Sequence, residues 1–229
     1  MRILIIGGVS DTSVGQSFER AARSLGHTVR FLDIGVAYNG LWPVRKFCWH
    51  ALGHLPPGLR AFGRDVEEAA LQFHPDVVLT TGIAPVNHAT LMSLKQLGAI
   101  LVNYSTDDPF SPHHRARWFF EALPGYDLIC SPRRAAIADY ASVTAARVAY
   151  VPFAYDETLF FTPEHIDDAQ RRVFACDVVF VGGADGDRAP YIGALLREGM
   201  TVGLYGSYWD RFAETRGHGR GQIGIEDIR

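Results

Sequence analysis

The sequence predicts an α/β fold: a doubly wound parallel sheet followed by the start of a second such unit. Short runs rich in Val, Ile and Leu recur through the first two thirds of the chain, with helical patterns between them. The opening, MRILIIGGVSDTSVGQSFERAARSLGHTVRFLD, returns near the end as DVVFVGGADGDRAPYIGALLREGMTVGLYG. In both, an apolar strand runs into a double glycine, and a helix and another strand follow.

Strands are expected over Ile3–Ile6, Thr28–Leu32, Asp76–Thr80, Ala99–Asn103, Asp127–Cys130 and Arg147–Val151. Helices are expected over Val14–Leu25, Gly63–Phe73, Val86–Leu97, His113–Leu123 and Arg133–Tyr140. Nearly continuous apolar strands separated by amphipathic helices imply a parallel sheet buried on both faces. Right-handed crossovers then gather every strand-to-helix loop on one edge, where ligands bind in such folds. Residues Tyr38–Arg60 break the rhythm with Trp42, Phe47 and Trp49 among Pro43, Pro56 and Pro57. The stretch is too long for a plain connection. It reads either as a helical lid over a cleft or, preferred here, as an extra helix packed on the sheet.

After Val151 periodicity fades, which marks a linker with a short helix over Pro163–Arg172. Strand, helix and strand then recur at Asp177–Val181, Arg188–Arg197 and Thr201–Tyr205. The expected division is therefore a first domain at 1–151, a linker at 152–175 and an incomplete second domain at 176–229. One helix cannot cover both faces of a parallel sheet. Standing alone, the second unit would leave Val179, Val181, Val202 and Leu204 partly wet.

A formal net charge of -3 and the absence of any long basic run argue against a nucleic-acid surface. Three widely separated cysteines, Cys48, Cys130 and Cys176, give no disulfide framework and suit a reducing compartment. No apolar run is long enough to span a bilayer. A cytoplasmic protein is expected.

The first loop, Gly7-Gly8-Val9-Ser10, offers backbone N–H groups to a phosphate or sugar, or else simply turns strand into helix. The next glycine is Gly15, so the spacing departs from the dinucleotide fingerprint. Asp107-Asp108-Pro109 follows a buried strand. Two adjacent carboxylates repel one another, and burial disfavours their charged forms, which suits one of them to accepting a proton. Ser111-Pro112 is expected to cap the next helix, leaving both aspartates without a structural task. Asp187 reads as an N-cap. Arg188 in the first helical turn opposes the helix dipole unless an anion, or a neighbour such as Asp185 or Asp187, satisfies it.

Other candidates carry less. His50 and His54 have metal-compatible spacing, but the Glu of H-E-x-x-H is missing. His113-His114 read as solvated residues at a helix start. Tyr208 and Trp209 offer stacking surfaces or core packing. Asp33 ends the second strand, where a ribose-binding acid sits in nicotinamide-dependent oxidoreductases. No G-x-S-x-G elbow, Walker A motif or metal-ligand cluster is present, so neither a cofactor nor a metal is expected.

LVNYSTDDPFSP, the junction PFAYDETLF (Pro152–Phe160), and FVGGADGDRAPYIGALLREGMTVGLYGSYWDRF resemble GT-B glycosyltransferases, and more narrowly the CgeB-type (spore maturation protein) family. The resemblance implies two Rossmann-like domains and transfer of a sugar from a nucleotide-sugar donor to a hydroxyl acceptor. The acceptor, a glycan, protein or small molecule, would sit on the first domain with Asp107 or Asp108 as base. Gly182, Gly183 and Arg188 would hold the donor diphosphate. An acidic donor-binding residue of that family lies well beyond this point in its members. The chain is therefore expected to begin a donor domain without completing it, and to be inactive alone. A non-catalytic glycan- or nucleotide-binding module is the second expectation, and an oxidoreductase the third. Self-association is left open.

Overall fold

The computed structural model describes residues 1–10, 12–162 and 164–228, in two compact units, Met1–Ala154 and Tyr155–Arg229. Pro163, the expected start of the linker helix, lies outside the described residues.

In the first unit six strands form one parallel sheet: β1 (Arg2–Gly7), β2 (Thr28–Asp33), β3 (Val77–Thr81), β4 (Ile100–Tyr104), β5 (Leu128–Ser131) and β6 (Arg147–Tyr150). Their order is β2-β1-β3-β4-β5-β6, with every neighbouring pair parallel. Alternation along β1 separates two cores, because successive side chains point to opposite faces. Leu4 and Ile6 join Val78, Leu101 and Ile129 beneath α3 (Leu59–Phe73), α4 (His88–Gln96) and α5 (Arg117–Ala122). Ile5 faces the other way, with Val29, Phe31 and Leu79, beneath α1 (Val14–Ser24). The α/β fold, with helices on both faces of a parallel sheet, is as expected.

Three expectations are corrected. The helix expected from His113 begins at Arg117, and its N-cap, Ala116, makes no side-chain bond. Ser111 N–H bonds the Asp108 carbonyl and His114 N–H the Ser111 carbonyl, so the segment spends its donors on consecutive turns. α6 (Ala136–Val143) likewise starts later than Arg133, whose N–H is taken by the Ser131 hydroxyl at 3.2 Å. Within the irregular stretch, α2 (Trp42–Ala51) forms but buries only Cys48, so it is not packed on the sheet.

In the second unit, β7 (Val178–Val181) and β8 (Val202–Tyr205) pair in parallel around α8 (Arg188–Arg197), preceded by α7 (Asp168–Phe174) and followed by α9 (Ile225–Ile228). Ile192, Val202, Leu204 and Trp209 form its small core. Val179 and Val181 are exposed as expected; Val202 and Leu204 are buried. The helix covers one face; on the other, Val179 and Val181 stay exposed while Tyr205 is buried beside Phe174 of α7.

Candidate functional site

A cleft of about 430 Å³ opens at the carboxyl edge of the first sheet. Its position follows from strand order. Chain progression reverses between β1 and β3, and the loops leaving those strands part in opposite directions at that point. Gly8 comes from the β1 loop, Tyr38 from the 3-10 turn after β2, Gly82 from the β3 loop, and Thr106 and Asp107 from the β4 loop; the N-terminus of α1 supplies Ser13.

The first double glycine divides its labour. A Cβ on Gly7 would lie 2.6 Å from the Thr81 hydroxyl, so Gly7 lets β1 and β3 approach. Gly15 stands opposite: a Cβ there would be 3.4 Å from the Gly7 Cα, so α1 crosses close over the strand end. A Cβ on Gly8 would meet nothing within 4 Å. Gly8 borders the cleft and Gly7 is buried beneath it. Ser10 is exposed and accepts the Ser13 N–H at its carbonyl, while the Ser13 side chain caps α1 through Gln16 N–H at 3.3 Å.

The acidic loop is held from several sides. The Ser105 hydroxyl donates to the Asp107 carbonyl at 3.0 Å, and Arg133 donates to the Thr106 carbonyl at 2.6 Å. Asp108 accepts the Phe110 N–H at 3.0 Å. Asp108 therefore does have a structural task, contrary to expectation, and it is not among the cleft residues. Asp107 lines the cleft, is exposed, and accepts from the Thr106 hydroxyl at 3.1 Å. Of the two carboxylates, Asp107 alone is free to meet a ligand there.

Beneath this loop lies a buried polar chain. Asn103 donates to the Gly82 carbonyl and to the Thr80 hydroxyl, which donates in turn to the Tyr126 hydroxyl at 3.0 Å. Burial pushes the Tyr126 phenol up to about 12, against a lowering by its Thr80 bond. Tyr140, bonded to Ser105 at 2.5 Å, is pushed up to about 12 by burial, with Asp108 adding to the rise. Tyr38 in the cleft wall is raised to about 12 by burial. All three phenols hold their protons at neutral pH.

In the second unit the β7 loop folds on itself. Gly182 N–H bonds the Tyr205 carbonyl, and the Gly182 carbonyl accepts from the Trp209 indole at 2.9 Å. Trp209 is thus core, while Tyr208 is exposed. Asp187, expected to be the N-cap, makes no capping bond. Asp185 caps instead, accepting the N–H groups of Arg188 at 2.8 Å and Asp187 at 3.1 Å. Arg188 pairs with Asp185 at 3.3 Å and donates to the Gly183 carbonyl at 2.9 Å, with its side chain half exposed. Gly182, Gly183 and Asp187 thus lie in one loop, and Arg188 opens the helix that follows it.

Elsewhere, the Asp33 carboxylate is occupied, accepting Gly35 N–H at 2.8 Å. His54 stacks on Trp49. Among the described residues no three His, Cys, Asp or Glu side chains cluster to hold a metal, and no helix is long and apolar enough to cross a membrane. Sequence reading missed Ser13, Tyr38, Gly82 and Thr106 as cleft residues. The Thr80-Thr81-Gly82 ending of β3 was the available signal, a glycine directly after a buried strand.

Solved structures share this architecture. S. aureus MnaA with UDP superposes with a TM-score of 0.59 at 10% identity, covering 99% of this chain and 69% of its own. A UDP-GlcNAc 2-epimerase from Neisseria meningitidis, bound to UDP-GlcNAc, gives 0.57 at 10% identity over 100% and 74%. A glycosyltransferase from Streptomyces, complexed with thymidine diphosphate, gives 0.50 at 14% over 100% and 73%. The fold is of the GT-B, Rossmann-like type. No family model and no curated protein matches the sequence.

Proposed function

We propose that this chain works on nucleotide sugars, as a glycosyltransferase or the larger part of one. The observation that carries the reading is the cleft at the strand-order reversal, in a chain that aligns end to end with proteins solved with UDP, UDP-GlcNAc and thymidine diphosphate. Its wall mixes the apolar Ile34 and Ile83 with Ser13, Thr81, Thr106 and Asp107, a composition suited to a hydroxyl-bearing acceptor.

Asp107 is the group to take the acceptor proton, and Asp108 shapes its loop. The Gly182-Gly183 loop and Arg188 hold the donor diphosphate, which must draw Arg188 away from Asp185. The narrower CgeB-type assignment rests on the three stretches quoted above. No step in this scheme calls for a metal or cofactor. An epimerase is the second reading, favoured by the Neisseria meningitidis protein.

Calorimetric titration with UDP and with thymidine diphosphate tests the proposal, followed by incubation of the sugar nucleotides with and without hydroxyl acceptors. Binding that weakens in Arg188→Ala is the expected result, and any sugar release by this chain must require an acceptor and disappear in Asp107→Asn. Conversion without an acceptor favours the epimerase, and binding without turnover a non-catalytic module. Failure to bind any nucleoside diphosphate or its sugar overturns the proposal.

A further inference from the structure

Helix α2 is an unusual element for a folded domain, since of its ten residues only Cys48 is buried. A helix this short is marginal in water and normally draws its stability from a buried face. Here the large apolar side chains stay outside: Leu41 is 77% exposed, Trp42 68%, Phe47 61% and Trp49 46%. Trp42, Lys46 and His50 follow one another at helical i,i+4 spacing on the side away from Cys48. The Lys46 ammonium lies 5.1 Å from the centre of the Trp42 ring, so cation and aromatic share one patch.

Charge around the helix is one-sided. Between Ile34 and Arg64 the sequence holds no Asp or Glu, although the chain as a whole is net acidic. Arg45, Lys46, Arg60 and Arg64 are all exposed, and among the described residues none of them is ion-paired.

We propose that α2 with its flanking cations docks on an anionic lipid surface. Such a surface supplies both things the patch lacks: an apolar layer for Leu41, Trp42 and Phe47, and counter-charge for Arg45 and Lys46. Trp and Lys suit the lipid–water boundary, each pairing an apolar body with a polar tip. A second copy of this face would be a poorer occupant, because a two-fold contact sets the same cations against one another. The contact is interfacial, since no helix among the described residues is long and apolar enough to cross a bilayer. Tyr38, which ends the 3-10 turn just before α2, also lines the cleft, so docking holds the cleft beside the lipid.

Sedimentation of the full chain with mixed phosphatidylglycerol/phosphatidylcholine vesicles, and with phosphatidylcholine alone, tests this independently of any nucleotide binding. The chain is expected to sediment with the anionic vesicles only, with a blue shift in tryptophan emission from Trp42 and Trp49. Arg45→Gln/Lys46→Gln is expected to weaken partition by about fivefold for each cation removed, and added salt to do the same. Trp42→Ser/Phe47→Ser, at exposed positions, is expected to abolish partition while leaving the melting temperature unchanged. No partition to anionic vesicles overturns the proposal, as does partition that both double variants retain. So does a lipid-free dimer that Trp42→Ser/Phe47→Ser converts to monomer, which would make a second copy the occupant of the face.

Discussion

The side-chain amide of Asn103, on β4, donates to the carbonyl of Gly82, in the loop that leaves the neighbouring strand β3, at 3.0 Å. Gly82 sits at φ 64°, a conformation that costs a residue with a Cβ, and a Cβ there would also lie 2.9 Å from the Thr106 hydroxyl. The bond therefore fixes a backbone turn that glycine alone adopts freely, directly in the cleft wall. Asn103 is fully buried and its Oδ1 has no partner among the described residues. One lost acceptor bond is the cost of holding two donor bonds.

Asn103→Ala accordingly leaves the Gly82 carbonyl without its donor and the Thr80 hydroxyl with one fewer partner. A loss of about 1–3 kcal/mol is expected, reduced by removal of the orphaned oxygen. Urea denaturation measures it. An unchanged midpoint would mean that the chain of bonds from Gly82 to Tyr126 contributes nothing to stability.

The adjacent glycines Gly7 and Gly8 are expected to separate under alanine substitution. Gly7→Ala drives a methyl against the Thr81 side chain, which is β-branched and has little freedom to turn away; a loss of about 1–3 kcal/mol follows. Adding Thr81→Ala should restore part of it, a coupling that a double-mutant cycle reads directly. Gly8→Ala meets open space and should stay within about 0.5 kcal/mol of the parent. If Gly8 approaches ligand in the cleft, that neutral substitution will still weaken binding there.

Much of the fold was legible because buried parallel strands write continuous apolar runs, as Leu4, Ile5 and Ile6 do in β1. The double glycine after β1 likewise pointed to the loop that borders the cleft. What was not legible depended on side chains bonding backbone over short distances. Asp108 closing a turn on Phe110, and Asp185 rather than Asp187 capping α8, look the same in sequence as their alternatives, because either aspartate is chemically able to do the work. Nor does periodicity reveal that α2 stays off the sheet: its aromatic residues read as core when neighbours are unknown. Tyr38 entered the cleft wall through a 3-10 turn, whose short span leaves no repeat to read.

The cap of α8 offers a direct test of the choice between aspartates. Asp185→Ala removes the acceptor for the N–H groups of both Asp187 and Arg188, and should cost about 0.5–2 kcal/mol. Asp187→Ala, with no capping bond to lose, should fall within about 0.5 kcal/mol of the parent. Protection of the α8 amides against hydrogen exchange, which reads the stability of the second unit directly, is the readout. Equal losses in the two variants would contradict the geometry of this loop.

Alkaline stability follows from the buried phenols. In the unfolded chain tyrosine ionises near its ordinary value of 10.0, whereas Tyr38, Tyr126 and Tyr140 are raised to about 12 in the fold. A group whose folded value is raised contributes stability that is fully present below the unfolded value. That stability is lost as pH climbs toward the folded value, because the unfolded chain releases its proton first. Tyr104 and the Cys130 thiol, whose ordinary value is 9.0, are raised by burial as well, so the urea midpoint should begin to fall near pH 9 and drop more steeply from about pH 10 to about pH 12, as these groups and the three phenols ionise first in the unfolded chain. Tyr140→Phe removes one of those phenols and should flatten the alkaline slope. At neutral pH it leaves the buried Ser105 hydroxyl with only its bond to the Asp107 carbonyl, a loss of about 0.5–1.5 kcal/mol. A slope unaffected by Tyr140→Phe would place the phenol in contact with solvent and contradict its burial against Ser105 and Phe110.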